Sequence, residues 1–405
     1  MTDAMTNPDN SADTYADMRS NASRIRSVAG IIMHANIDGQ FDLASENRAL
    51  ALRLARNQFP IQVVPTGGQR HHIQDRHLWA SRRELQNLLH DRLELAESVL
   101  YQSGSPTTWN LDFYGRCRVG RAACGTDRIP DGWAERCNAL DELWLPSEFH
   151  RETFAASGVD RSKVRIIPHA FDAQIFHPGC YPLQLSSVPS RSFQFLAIAD
   201  GWLASGIDIL LRAFIEEFAP DEDVALVLHC PPKRSGHSYI DFESEVIALI
   251  ESELDRKIED VPTIAVLTGS IPDEDRAGFF AASHAFVQPA RSDATGQHCV
   301  EALACQLPII ATDWGPLNDV LTDDNSFPLA TNGVVAARPE EDERIAGHRW
   351  AEANLDHLRH RMREVFNTPK EAARRAEKGR RDVIARFEWS IVLPEWIRNL
   401  RRLLD

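Results

Sequence analysis

The sequence contains no apolar run of the roughly 20 residues that a membrane-spanning helix needs. Its seven cysteines include no CxxC pair, which argues against a disulfide framework and a thiolate zinc site and favours a reducing compartment. Basic residues are also too few for a general nucleic-acid binder, because 44 Lys and Arg face 59 Asp and Glu and leave a net charge of -15.

The rest of the composition is typical of a globular protein. Hydrophobic residues make up 43% and charged residues 25% of the 405 positions, and at roughly 100–200 residues per domain this length predicts two to three domains. The first 23 residues scatter aspartates among small polar residues and lack the basic start and apolar core of a secretory leader. We therefore expect a disordered tail over 1–23 and a cytoplasmic location.

Strand-like and helix-like patterns alternate in two halves of the chain. In the first half, strand candidates are 27–34, 59–65, 97–103 and 141–145, and helical patterns are 44–57 and 78–96. After a proline-containing segment at 163–179, strand candidates are 192–199, 223–229, 262–269, 285–289 and 308–312, and helical patterns are 207–218 and 300–306. This alternation predicts an α/β protein with two doubly wound parallel-sheet domains.

The C-terminal region is strongly basic and helical in period, at 348–366, 380–387 and 393–404. We interpret these segments as packing helices with a solvated basic face. The alternative is a peripheral contact with an anionic membrane.

Two segments resemble the retaining glycosyltransferases of family 4. Residues 141–179 (DELWLPSEFHRETFAASGVDRSKVRIIPHAFDAQIFHPG) are similar to the family's linker region, and 291–316 (RSDATGQHCVEALACQLPIIATDWGP) to its donor-site signature. The resemblance extends from about residue 27 to the C-terminus. It implies a GT-B architecture, in which two Rossmann-like domains face each other across a cleft.

The resemblance also implies a division of the chain. Residues 24–175 would form an N-terminal acceptor domain and residues 176–380 a C-terminal nucleotide-sugar domain. Residues 381–405 would form helices that return toward the N-terminal domain.

The donor-site signature contains two acids separated by seven positions, Asp293 and Glu301, with Gly296 at the expected start of a helix. A helix N-terminus offers backbone N–H groups and a positive dipole end to a diphosphate. The resemblance implies that Glu301 holds the ribose hydroxyls, that Asp293 lies beside the sugar, and that Thr295 and Gly296 border the donor. By spacing alone, helix capping is the better explanation of both acids, because acids beside a helix start are routinely caps.

The sequence departs from the family where cations are expected to neutralise the leaving diphosphate. The loop ADGWLASGID (199–208) has Ala204 and Ser205 at those positions, although Ser205 and Gly206 still belong to the implied donor site. Removing one such preorganised group typically lowers a rate by about 10²–10³. Gly125 likewise stands where a related branch of the family usually has Glu.

One segment offers a replacement for the missing cations. Lys233 and Arg234 follow the strand candidate at 223–229 and would lie at the same sheet edge as the phosphates. A solvated basic loop is the alternative interpretation.

Candidate acceptor residues lie in the first half and at the boundary. Gly39 and His34 follow the first strand, where a doubly wound sheet opens its ligand crevice, and His169 lies at the interdomain turn. The alternatives are an ordinary turn glycine and a strand-end histidine that has no contact with ligand.

The resemblance implies an enzyme that moves a sugar from a nucleotide-diphosphate sugar to a hydroxyl with retention. The acceptor would be a glycan, a lipid-linked molecule or a small molecule, and we expect no cofactor and no metal ion. The second hypothesis is a GT-B protein without turnover that binds a nucleotide, a sugar or a partner enzyme, because Gly125, Ala204 and Ser205 are all departures within the site.

Overall fold

The computed structural model describes residues 25–26, 28–37, 42–66, 79–112, 115–185, 188–189, 192–199, 201–230, 234–235, 238–239, 241–269, 271, 275–339 and 342–405. Within these ranges, none of the helices combines the length and the apolarity that crossing a bilayer requires.

The first half of the chain contains a six-stranded parallel sheet and a separate pair of short strands. Its strands are β1 (Ile25–Arg26), β2 (Ile31–Ala35), β3 (Ile61–Pro65), β4 (Arg92–Leu93), β5 (Val99–Ser103), β6 (Cys117–Arg121), β7 (Glu142–Leu145) and β8 (Val164–Ile166). Six of them form a parallel sheet in the order β3-β2-β5-β6-β7-β8, and β1 pairs with β4 separately. The central strand β5 is buried at every position, as expected when helices cover both faces.

The helices of this half are α1 (Asp42–Arg56), α2 (Trp79–His90), α3 (Trp133–Asn138) and α4 (Glu148–Ala156), with 3₁₀ turns at Pro106–Thr108 and Arg161–Lys163. The helix predicted over 78–96 is too long. It ends at His90, because Arg92 and Leu93 pair with β1 and so leave the helical path.

The second half repeats this architecture. Its strands are β9 (Phe193–Ile198), β10 (Val224–His229), β11 (Arg234–Ser235), β12 (Ser238–Tyr239), β13 (Thr263–Leu267), β14 (Ala285–Gln288), β15 (Ile309–Thr312), β16 (Phe327–Leu329), β17 (Thr331–Ala336) and β18 (Arg349–Ala353). The second six-stranded parallel sheet has the order β13-β10-β9-β14-β15-β16. The crossover between β9 and β14 at its centre opens a crevice at the carboxyl ends of these strands.

The helices of this half are α5 (Ile207–Glu217), α6 (Phe242–Ala248), α7 (Arg276–Ala282), α8 (Gln297–Ala304), α9 (Leu355–Asn367), α10 (Pro369–Phe387) and α11 (Trp389–Leu404). A π-helical turn at Leu249–Glu253 extends α6, and 3₁₀ turns lie at Ile258–Asp260, Gly315–Asp319 and Glu343–Ile345.

The prediction of a helix over 348–366 is wrong at its start. Residues 349–353 form β18, which pairs antiparallel with β17, and helix α9 begins only at Leu355. The local sequence has helical spacing, but pairing with β17 satisfies the backbone groups of this segment and overrides it.

The last helix packs on the first sheet. The side chain of Trp396 in α11 is fully buried, with ring centroids 5.6 Å from Tyr101 and 5.1 Å from Trp144. Val392 and Leu400 join the same hydrophobic core. Helix α10 packs on α8 in the second half, so the chain crosses between the two cores at Phe387–Trp389.

Candidate functional site

Two glycines bring the loops after β9 and β14 together at the carboxyl ends of the central strands of the second sheet. Gly206 precedes α5 with φ +70°, and a Cβ there would lie 2.1 Å from the carbonyl oxygen of Pro289. Gly296 precedes α8 with φ +66°, and its Cβ would lie 2.6 Å from the Leu317 side chain. Both positions need glycine for the positive φ and for space. We call residues 289–296 the donor loop.

Asp293 caps the end of the donor loop with its carboxylate. Its Oδ1 accepts the backbone N–H groups of Thr295 and Gly296, both at 2.9 Å, and its Oδ2 accepts Gln288 Nε2 at 2.6 Å. The Thr295 hydroxyl accepts the next N–H, from Gln297, at 3.3 Å. Side chains of the protein therefore already satisfy amide groups that the sequence analysis assigns to a diphosphate.

Glu301 lies one turn into α8 and is 1% exposed. Its Oε1 accepts Arg276 Nη2 at 2.7 Å and Gln297 Nε2 at 3.1 Å, and Gln297 Nε2 also reaches the carbonyl oxygen of Ala170 at 3.3 Å. Arg276, at the start of α7, is 8% exposed and stacks over Phe176. Glu301 is thus held in one orientation by a buried cation.

Glu301 and Arg276 line a pocket of about 220 Å³ between the two halves of the chain. Its opposite wall is helix α1, which contributes Glu46, Arg48 and Arg53. The pocket therefore places charged side chains of both halves around one space at the carboxyl ends of the two sheets.

The other implied donor residues have different surroundings. The Ser205 hydroxyl accepts the Gly201 backbone N–H at 3.3 Å, and the carbonyl oxygen of Ala204 accepts the backbone N–H groups of Arg291 and Ser292 at 2.9 and 3.1 Å. Lys233 lies outside the described residues. Arg234 is described only through its backbone, which forms part of β11.

Arg291 follows β14 and is 2% exposed. It bonds both carboxylate oxygens of Asp208 at 2.6 and 2.9 Å, both of Glu352 at 2.8 Å, and the carbonyl oxygen of Leu203 at 2.8 Å. These contacts use all five N–H donors of the guanidinium. Burial alone would lower the pKa of Arg291, but its hydrogen bonds with Glu352 and Asp208 raise it.

A second buried charge cluster lies at the carboxyl end of β6 in the first sheet. Arg121, the last residue of β6, bonds both Glu46 carboxylate oxygens at 2.9 and 2.7 Å and the carbonyl oxygen of Ile167 at 2.8 Å. Nδ1 of His169 lies 3.0 Å from Glu46 Oε2. Burial would raise the pKa of Glu46, but Arg121 and His169 lower it to about 2.

His169 and His34 have different surroundings. His169 borders, with Thr295, a second interdomain pocket of about 410 Å³ that also includes Ser147, Glu148, Asp319 and Arg386. His34 lies in β2, where burial lowers its pKa. Gly39 falls outside the described residues.

The walls of the two halves touch at Gly125. A Cβ there would lie 2.5 Å from Ser292 Oγ and 2.8 Å from the Asp293 backbone, so these walls are in direct contact. A residue as large as the Glu of the related branch does not fit this arrangement.

Four of the residues that build the site are absent from the sequence predictions: Glu46, Arg121, Arg276 and Arg291. Two of them carried a usable signal, since Arg121 ends one strand and Arg291 follows another, where ligand sites of parallel sheets lie. Glu46 and Arg276 lie on helices, and no feature of the local sequence marks them as site residues. Within the described ranges, no three His, Cys, Asp or Glu side chains are grouped as a metal ion would require.

Two parallel-sheet α/β domains that face each other across such a cleft define the GT-B class, and the predicted fold is confirmed by solved structures. A glycosyltransferase from Rickettsia africae matches with a TM-score of 0.66 at 14% identity, over 93% of this chain and 99% of that one. HepE of Anabaena, solved with UDP and glucose, matches with a TM-score of 0.62 at 11% identity, over 92% and 100%.

The sequence comparisons indicate a narrower class of protein than the fold does. Residues 260–380 match the family model of the glycosyl transferases group 1, and this match confirms the resemblance seen in the sequence. Phosphatidyl-myo-inositol mannosyltransferase of Propionibacterium freudenreichii is 26% identical over 159 residues, 39% of this chain and 34% of that protein. The chain thus spans about a third of the length of the curated relative it matches.

Proposed function

We propose that the protein is a glycosyltransferase that moves a sugar from a nucleotide-diphosphate sugar to a hydroxyl acceptor, with retention at the anomeric carbon. The observation that carries the proposal is the position of Glu301: it lies within the matched group 1 segment, on α8, and faces α1 of the other half across the 220 Å³ pocket. The solved HepE complex contains UDP and glucose, which supports a nucleotide-sugar donor.

In this proposal, the second half binds the donor. The Glu301 carboxylate accepts hydrogen bonds from ribose hydroxyls, and Arg276 and Gln297 keep it oriented. Asp293, Thr295 and the backbone around Gly296 border the sugar and the diphosphate. A carboxylate suits the ribose because it accepts two O–H groups at once.

The first half shapes the acceptor side. Its wall contains α1 and the buried pair of Arg121 and Glu46, with His34, Gly39 and His169 as the acceptor residues implied by the sequence. The pair fixes α1 against the linker, because Arg121 also bonds the carbonyl oxygen of Ile167. We expect the departing phosphate oxygen itself to take the acceptor proton.

Neutralising the diphosphate is the demanding step for this site. Arg291 is surrounded by two carboxylates and its donors are all used, so it does not offer a free cation to the phosphates. Arg276 pairs with one carboxylate, and Lys233 and Arg234 are the further candidates. We expect the reaction to need no divalent ion, since the resembling family relies on helix N-termini and cations.

A second candidate function is a GT-B protein that binds a nucleotide or sugar without turnover. The observation that favours it is the Asp293 carboxylate, which holds the amide groups of Thr295 and Gly296 and adds negative charge where a diphosphate would lie. Ala204 and Ser205 add to this argument.

One experiment separates the two functions. UDP, GDP and their sugars are titrated into the purified protein by calorimetry, and the same samples are assayed for donor hydrolysis and for transfer to hydroxyl acceptors. Binding with turnover supports the transferase, binding without turnover supports the second candidate, and the absence of binding contradicts both. An added chelator tests metal independence, because activity lost with EDTA and restored by Mg²⁺ or Mn²⁺ would contradict it.

A further inference from the structure

Strand β18 and the residue before it contact both halves of the chain; we call residues 348–353 the interdomain strap. On the first-half side, Nδ1 of the His348 ring forms a hydrogen bond with Thr126 Oγ1 at 2.9 Å. The backbone N–H of Arg349 donates to Asp127 Oδ1 at 2.7 Å, and its carbonyl oxygen accepts the Asp127 N–H at 3.0 Å. Three hydrogen bonds thus join the strap to the loop after β6.

The other side of the strap contacts the donor loop. Glu352 bonds the Arg291 guanidinium twice, and the Ala351 backbone N–H donates to the Arg291 carbonyl oxygen at 3.2 Å. Arg291 in turn holds Asp208 and the carbonyl oxygen of Leu203, in the loop that contains the implied donor residues. A continuous chain of bonds therefore runs from Asp127 to both donor-side loops.

The chemistry of Arg291 argues for positioning rather than for stability. A buried cation between two carboxylates often stabilises a fold no better than apolar side chains of the same size. What it adds is geometry, because a planar guanidinium with five used donors permits one arrangement of its partners. A shift of the strap therefore shifts the loops on the other side of Arg291.

We propose that Arg291 is a positioning residue for sugar transfer, which couples contact between the two halves at the interdomain strap to the placement of the donor loop. This inference rests on the proposed function. When Asp127 holds Arg349, the strap keeps Arg291 in place, and Arg291 keeps the loops at 203–208 and 289–296 in the arrangement that the transfer step needs. When the halves separate at the strap, the donor loop loosens.

The test removes a contact between the interdomain strap and the first half of the chain, on the side of the strap away from the donor loop. Asp127→Ala removes a carboxylate that is a quarter exposed and that accepts the Arg349 backbone N–H, so the variant is expected to fold. Hydrogen exchange is then followed in a peptide covering 289–296. The amides of Arg291 and Ser292, which bond the Ala204 carbonyl oxygen, are expected to exchange at least about fivefold faster than in the wild type.

Kinetics give the second readout. Asp127→Ala and Arg291→Lys are each expected to lower kcat for transfer about tenfold while KM for the donor stays within about twofold. The double variant is expected to lose about tenfold and not a hundredfold, because both changes break the same chain of bonds. The matched control is Glu135→Ala, an exposed carboxylate of α3 in the same half.

Separate results overturn this inference and the proposed function. Unchanged exchange at 289–296 in Asp127→Ala, or losses in kcat that multiply, would overturn the coupling through Arg291 even in an active transferase. A wild type without transfer to any acceptor would contradict the proposed function, whereas the exchange measurement would still decide whether the strap controls the donor loop.

Discussion

The buried pair of Arg121 and Glu46 offers a test of what holds the cleft wall together. Arg121 makes two charged hydrogen bonds to Glu46 and one to the Ile167 carbonyl oxygen, and its guanidinium lies over the Trp396 ring. Arg121→Met keeps much of the volume but leaves a carboxylate that is 4% exposed without its cation. Removing one partner of such a pair costs about 3–5 kcal/mol.

The magnitude and its pH dependence can both be measured. At about 2–4 °C per kcal/mol, Tm of the first half should fall by about 6–20 °C at pH 7. In the wild type, the pKa of Glu46 is lowered from 4.5 to about 2, so its stabilising effect is present above pH 4.5 and is lost as pH falls through about 2. In Arg121→Met, burial is no longer opposed by the guanidinium, although His169 remains, so the pKa of Glu46 rises from its wild-type value and the penalty falls as the carboxyl is protonated.

The double variant Arg121→Met with Glu46→Gln is the control, since it removes both charges. Near-ultraviolet circular dichroism, which detects the packing of Trp144 and Trp396, is recorded on heating at several pH values. The single variant should be less stable than the double variant at pH 7, and the difference should shrink as pH falls and the Glu46 carboxyl is protonated. A difference that is absent at pH 7, or that does not change with pH, would refute this reasoning.

Three further predictions concern the donor side. Glu301→Ala should lower Tm, because Arg276 loses its buried partner, and in the folded protein it should weaken nucleotide-sugar binding by about 1.5–3 kcal/mol in calorimetry; unchanged affinity would show that the carboxylate does not bind ribose. Gly125→Ala should lower Tm because its Cβ would meet the donor loop, whereas Gly269→Ala, with open space around it, should not; equal values would contradict the contact. Ala204→Arg with Ser205→Lys should raise kcat for transfer or donor hydrolysis more than it changes KM, and no gain would mean that the phosphates are neutralised elsewhere.

Much of the fold follows from local sequence. Segments 59–65 and 97–103 contain strands β3 and β5, because branched and aromatic residues in short segments favour strands. Helix α8 was also predictable, since Gly296 precedes the helical pattern at 300–306 and α8 starts at the next position. These features depend on neighbours in the chain, which the sequence shows directly.

The charge pairs of the site were decided only by the tertiary structure. Arg121 meets Glu46 across 75 positions, and Arg291 meets Asp208 and Glu352 across 83 and 61. No local pattern selects these partners, because each pair joins helices and strands from distant parts of the chain that only the fold brings together.

The same distinction explains the incorrect prediction at 348–353 and the altered view of Asp293. The helical spacing of the strap is real, but its pairing with β17 and its bonds to Asp127 are long-range contacts that outweigh local preference. For Asp293 the sequence alone identified the acid and the helix that follows it. Only the structure showed that its carboxylate accepts the amide groups of Thr295 and Gly296, because that orientation depends on Gln288 and on how the donor loop is held.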